Sequence, residues 1–206
     1  MVTVAVVDYG MGNLRSVAKA LEAVGARVSV STKQEDLRTA DRIVLPGQGA
    51  FRDCIANLRA TGLVDALTQE VRQKGKPFLG ICLGLQLLAD VSHENGTFKG
   101  LGWLSGRVER LTVNDPRLKL PHIGWNDVEF RDTPLAAGLK KNPIFYFDHS
   151  YHFVSDAPGL VAASCEYGGT FAAAIQQDNV FAVQFHPEKS QEVGLGLLRN
   201  FLNWKI

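Results

Sequence analysis

Cys82 stands in Phe78-Leu79-Gly80-Ile81-Cys82-Leu83-Gly84-Leu85-Gln86, where an apolar strand-like run gives way to helical spacing. Gly80 and Gly84 flank it two residues before and two after. This is the glycine spacing of a nucleophile elbow, with Cys in place of Ser. A sharp strand-to-helix turn brings neighbouring backbone very close, and glycine fits where a side chain does not. The thiol is presented at a helix N-terminus, where free N–H groups favour negative charge. The Leu83 N–H is placed to meet an oxyanion. A glycine-flanked Cys is also what a buried packing cysteine looks like, so the segment needs a second signal.

That signal lies at the other end of the chain. Val180–Phe185 is a strand-like run that ends in His186-Pro187-Glu188. A thiol nucleophile needs a base, and the base needs a group that orients it. In extended chain, residues two apart point to the same side, so Glu188 can face one ring nitrogen of His186. Pro187 fixes its own φ and pushes His186 towards extended backbone. Alone, the segment reads as a solvated turn; together with Cys82 it reads as a Cys-His-Glu triad for acyl transfer. Cys54, on a helical pattern, and Cys165, in a strand run, lack such context and are assigned to packing.

Two other chemistries fit poorly. His149 and His152 are three apart on a strand-like run, hence on opposite faces, and no cysteine pair accompanies them, so no metal is expected. Gly10-Met11-Gly12 lacks the third glycine of a dinucleotide fingerprint, because Arg15 stands there. It reads as a tight loop with Asn13 as a helix N-cap.

The elements that must position these groups alternate. Val2–Val7 is a continuous β-branched run, as in a strand buried on both faces. Asn13–Val24 has helical spacing, with Gly25 as a C-cap. Arg27–Ser31 and Arg42–Leu45 read as strands, Ala50–Ala60 and Leu63–Lys74 as helices, Phe78–Ile81 as a strand and Leu83–Ala89 as a helix. This order argues for an α/β fold with a mostly parallel central sheet flanked by helices. Beyond about residue 95, short strand-like runs follow: 100–111, 123–130, 144–154, 160–167, 170–176 and 180–185. They suggest an added antiparallel or mixed layer in the C-terminal half. Residues 190–204 close the chain as a helix. No linker or repeat divides it, so residues 1–206 are expected to form a single domain.

Composition is that of an ordinary globular protein, with 206 residues, 46% hydrophobic and 21% charged. Lys+Arg 22 against Asp+Glu 21 leaves a formal charge of +1, which makes no electrostatic case for nucleic acid or a membrane surface. The N-terminus lacks a basic region before its short apolar run, and no stretch is long enough to span a bilayer. Three cysteines do not make a disulfide framework, and a reducing, cytoplasmic setting is the expectation.

The triad segments resemble the class I (triad) glutamine amidotransferases. Four segments resemble, within that family, the glutaminase subunits of imidazole glycerol phosphate synthases. These are Asp8–Leu14, Leu45-Pro46-Gly47-Gln48-Gly49-Ala50-Phe51, Pro121-His122-Ile123-Gly124-Trp125-Asn126 and Phe185–Ser190. Tyr146–Tyr151 resembles the same family's segment before the substrate pocket. The likeness spans essentially the whole chain, with the segments in family order. Gln48 and Asp148 depart from it, standing where smaller or apolar residues are expected.

The resemblance implies glutamine as substrate, Cys82 as nucleophile, His186 as its base and Glu188 as the orienting acid, with no cofactor. It implies a (β/α)₈ cyclase subunit as heterodimer partner, which takes the ammonia into histidine biosynthesis. Gly47, Gln48 and Gly49 would supply a second oxyanion donor beside Leu83, and the two glycines let the loop's peptides rotate at low steric cost. Gln86, four residues after Cys82 and so on the same helix face, would bind the amino-acid end of the substrate with Ser150 and Tyr151. Asn13, Trp125, Asn126 and Lys189 would face the partner. A triad glutaminase feeding a different synthase, a cysteine hydrolase acting on peptides, and a non-catalytic α/β module are the alternatives.

Overall fold

The structure is a computed structural model and describes residues 1–206. Its main sheet has eight strands. In spatial order they are β2 (Arg27–Ser31), β1 (Thr3–Val7), β3 (Arg42–Gly47), β4 (Phe78–Cys82), β14 (Val180–Val183), β13 (Thr170–Gln177), β12 (Val161–Glu166) and β9 (Glu129–Phe130). Pairings from β2 across to β14 are parallel. From β14 outward they are antiparallel. The expected fold class therefore holds, with the antiparallel strands partly continuing the main sheet. The rest forms two smaller sheets. One runs β11 (Tyr151–Ser155), β7 (Leu104–Arg110), β5 (Ala89–Ser92), β6 (Phe98–Lys99), and the other pairs β8 (His122–Asp127) with β10 (Ile144–His149).

The continuous apolar runs follow from burial on both faces. Along β1, Val4 and Val6 enter one core while Ala5 and Val7 enter the other. The strand period of two sends alternate residues to opposite sides. On the first side lie α1 (Leu14–Ala23) and α6 (Gln191–Asn203), which bury Val17, Leu21, Leu198 and Phe201. On the second lie α2 (Gln34–Thr39), α3 (Phe51–Ala60) and α4 (Val64–Leu67), burying Leu37, Phe51, Ile55, Leu58 and Leu67. Full burial of each such side chain contributes roughly 1.5–3 kcal/mol. The parallel strands β3 and β4 pair through Gly47 and Cys82, so the loops after them meet at the carboxyl ends of the central strands.

Several local expectations need correction. The helix after Cys82 is only α5 (Leu83–Gln86), and Ala89–Ser92 is a strand because it pairs with both β6 and β7. Residues 63–74 split into α4 and a π-helical stretch, Thr68–Gln73. Residues 144–154 are two strands in different sheets, broken at Ser150. Asn13 precedes α1, but its side chain makes no capping bond. Gly25 does take the left-handed conformation expected of it, with φ +94°.

Candidate active site

Cys82 ends β4 and precedes α5 with φ +54° and ψ −111°, a backbone region that costs a non-glycine residue about 1–3 kcal/mol. The surroundings enforce it. A Cβ on Gly84 would stand 1.9 Å from the Leu45 carbonyl oxygen of β3. One on Gly47 would stand 2.7 Å from Leu83 Cβ and 2.8 Å from Gly84 N. Gly47 is thus glycine because the elbow packs onto it, and it belongs to β3, opposite Cys82 in register. The conformational freedom expected of this loop falls to Gly49, at φ +115°.

His186 and Glu188 meet as expected, by a different local route. The strand ends at Val183, and Pro187–Lys189 is a single 3₁₀ turn with His186 before it. Nδ1 of His186 lies 2.8 Å from Glu188 Oε1, and both side chains are buried. The Ser190 hydroxyl donates to the His186 carbonyl at 2.6 Å and accepts the Tyr146 N–H at 3.0 Å, fixing the turn against β10. Nε2 of His186 has no partner. Burial pulls the His186 pKa down, but the neighbouring Cys82 sulfur and the Glu188 carboxylate outweigh it and push it up to about 10. The ring is therefore held protonated at neutral pH, ready to give a proton to a leaving amine.

A pocket of about 360 Å³ opens at Cys82. Leu83, Gln86, Gln48, Gly49, Ser150 and Tyr151 line it, all expected from the sequence, together with Glu94, Pro121, Asp148 and His149. Its volume suits a small polar substrate. A larger groove, about 590 Å³ along residues 129–143, has no cysteine or histidine in its lining and shares no lining residue with it. Neither Gln48 nor Gly49 donates its backbone N–H to another group of the chain. The carbonyls on either side are anchored, with the Tyr9 hydroxyl donating to Pro46 O at 2.8 Å and the Cys54 thiol to Gln48 O at 3.5 Å. Cys54 is buried, as a packing residue would be, yet it also touches this loop. Cys165 is buried in β12.

Gln86 uses its amide NH₂ within the protein, towards Tyr151 O and Gln184 Oε1, both at 2.9 Å. Its own Oε1 is buried and unpartnered, so what it offers a substrate is an acceptor. His149 sits with His122, ring nitrogens 3.2 Å apart, and its other nitrogen is 2.9 Å from Tyr151 O. Burial lowers His122 to about 4 and His149 to about 3, so both rings are neutral.

The residues expected at a partner surface divide. On the outer face of β8–β10, Ile123, Trp125 and Ile144 are all exposed. Trp125 packs edge-on against Tyr146, and Lys189 Nζ lies 5.4 Å above the Tyr146 ring and 3.8 Å from Asp148. Asn126 instead points into its own chain, donating to Glu166 O at 2.9 Å. Asn13 lies at the start of α1 and does not line the pocket.

Glu94, Gln184 and Tyr9 escaped the sequence reading. Gln184 had a legible signal, lying two residues before His186. Glu94 lies in a Ser-His-Glu-Asn-Gly loop that carries no signal of its own. It is recruited because its carboxylate accepts the Phe51 N–H at the start of α3, at 2.8 Å.

The family model for "Glutamine amidotransferase class-I" matches residues 5–204. The chain belongs to the class-I glutamine amidotransferases. Among its relatives in the family, the imidazole glycerol phosphate synthase subunit HisH of Nitrosomonas europaea is 49% identical over 99% of both chains. HisH of Nitrosococcus oceani is 50% identical over 99% of this chain and 98% of its own. Solved structures share the amidotransferase fold at lower identity. PurLQS from Thermotoga maritima superimposes with TM-score 0.74 at 22% identity, covering 98% of each chain. No helix of this amidotransferase is long and apolar enough to cross a membrane, and its three cysteines are free.

Proposed function

We propose that this chain is the glutaminase subunit of an imidazole glycerol phosphate synthase, working in the cytoplasm. It hydrolyses glutamine on Cys82 and passes the ammonia to a (β/α)₈ cyclase subunit. There the ammonia enters histidine biosynthesis, giving imidazole glycerol phosphate and an aminoimidazole carboxamide ribotide. The observation that carries this reading is a strained Cys82 beside a buried His186–Glu188 pair, in a chain about half identical to HisH from end to end.

In this reading Cys82 attacks the carboxamide carbon of glutamine, and His186 gives its proton to the departing ammonia. A γ-glutamyl thioester forms, and water cleaves it with His186 now acting as base. Glu188 holds the ring and stabilises its charge. The Leu83 N–H and a free N–H of Gln48 or Gly49 receive the oxyanion; loss of one such donor costs roughly 10²–10³ in rate. Gln86 Oε1 and Glu94 accept the substrate ammonium, and the 150–151 segment seats the α-carboxylate of the same end. The cyclase docks on the exposed β8–β10 face at Trp125, with Lys189 at the rim. Docking favours the productive loop, so the isolated chain turns over slowly.

Ammonia release from glutamine is the test, by the free chain, by its complex with the cyclase subunit, and by Cys82→Ala. Turnover should rise in the complex and vanish in Cys82→Ala, while free ammonia still supports synthesis by the variant complex. Normal turnover by folded Cys82→Ala removes the mechanism, and equal rates with and without the cyclase remove the coupling.

A further inference from the structure

Gln184 is buried between the last parallel strand and the catalytic turn, and nothing in the mechanism above uses it. Its backbone N–H bonds Ala173 O at 2.9 Å, which locks the residue to β13. Its side-chain Nε2 lies 3.6 Å from Cys82 Sγ, and its Oε1 accepts from Gln86 Nε2 at 2.9 Å. An amide can be turned end for end, so the direction of these bonds needs a reference of fixed polarity. The Tyr151 carbonyl supplies one, because it can only accept. It takes one N–H of Gln86, at 2.9 Å, so the Gln86 NH₂ is placed on that side. That NH₂ also faces Gln184, whose facing atom must then be its oxygen. The Gln184 NH₂ is left pointing at the sulfur. Reversing Gln184 would set two NH₂ groups against each other and an oxygen lone pair against Sγ.

We propose that Gln184 is a positioning residue for the nucleophile. Its amide N–H holds the Cys82 sulfur and stabilises the negative charge that the sulfur carries when it attacks. Its orientation is dictated through Gln86 by the Tyr151 carbonyl. The segment that seats the substrate and the group that aims the sulfur thus belong to one buried network. Gln184 does not line the pocket, so its N–H acts on the sulfur's reactivity, and its oxygen reaches the substrate site only through Gln86. The link to catalysis rests on the glutaminase reading; the contact with the sulfur does not.

The test separates those two dependencies. Gln184→Glu keeps the shape and the acceptor for Gln86 but removes the donor to sulfur. Gln184→Met matches the length without either polar end, and it preserves the test if the buried carboxylate prevents folding. Carboxamidomethylation of Cys82 by iodoacetamide, located by peptide mapping, is measured on the folded chain without glutamine. Glutamine kcat and KM are measured on the cyclase complex. Each folded variant should alkylate at Cys82 about tenfold more slowly, as expected for one hydrogen bond to a charged group. Each kcat should fall by a similar factor, with KM within twofold in Gln184→Glu, which keeps the acceptor for Gln86, and Gln184→Glu should lose at least as much kcat as Gln184→Met. Alkylation within twofold of the parent in folded Gln184→Met overturns the proposal. So does a raised KM with unchanged kcat. A parent complex that alkylates normally but releases no ammonia overturns the glutaminase reading instead.

Discussion

Replacing Gly84 by alanine tests whether the elbow geometry itself carries the activity. The added Cβ would stand 1.9 Å from the Leu45 carbonyl oxygen and 3.0 Å from the Leu45 carbonyl carbon, where ordinary contact begins at 3.4 Å. The obstruction is backbone on β3, so no side-chain rotation relieves it. Leu45 is in register with Gly80, and Gly47 with Cys82. Relief requires α5 to move off β3 by about 1.5 Å. That motion carries the Leu83 N–H and the Cys82 sulfur away from the Gln48–Gly49 N–H groups. A displacement of ~1 Å at a reacting centre costs on the order of 10² in rate. Overpacking of this kind destabilises by about 1–3 kcal/mol, which in a chain of this size lowers Tm by roughly 2–12 °C. Glutamine turnover by the complex and thermal melting of the chain are the assays. Gly62→Ala is the control: that position has φ +70° and open space around it, so it should lose stability without losing kcat. Gly84→Ala with parental kcat and parental Tm would refute the reasoning.

His186→Ala should lower kcat by about 10²–10⁴, the contribution of acid–base catalysis, and Glu188→Gln by less. Glu188 orients and stabilises the ring, whereas His186 moves the proton; a larger loss at Glu188 in steady-state kinetics would mean the roles are exchanged. His122 and His149 are buried neutral, with pKa values of about 4 and about 3 against an ordinary 6.5. Their folded values are depressed, so the fold is fully favoured above pH 6.5 and loses stability as pH falls towards 4 and 3. Tm measured across that window should fall, and His122→Gln should make the fall shallower. An unchanged slope in the variant would contradict the assignment. His186 has the opposite sign: its raised value of about 10 contributes stability below pH 6.5 that is lost as pH rises towards 10. Glu188→Gln should shift that loss to lower pH in alkaline melts.

What was legible in the sequence is what is encoded locally. Gly80, Cys82 and Gly84 declare the elbow because each glycine answers a contact within the same turn or the adjoining strand. His186 and Glu188 declare their contact because they are two residues apart. The buried parallel strands show as unbroken apolar runs, since both faces are covered. What escaped depends on distant partners. Ala89–Ser92 follows a helical-looking apolar run, and only pairing with 98–99 and 104–108 makes it a strand. His122 and His149 are 27 residues apart and meet because β8 and β10 pair. Gln86 lines the pocket, but its NH₂ is committed to Tyr151 and Gln184, partners 65 and 98 residues away. Asn126 shares a polar, exposed-looking motif with Trp125, yet the strand period turns it towards Glu166.

The central claim is that glutamine is opened by acyl transfer to Cys82. The most direct measurement is acid quenching of the complex during glutamine turnover, followed by mass spectrometry of its cysteine peptides. A glutamyl adduct on the Cys82 peptide, lost on incubation at neutral pH and never formed in Cys82→Ala, is the expected result. Turnover with no adduct on Cys82, or with the adduct on Cys54 or Cys165, would contradict it.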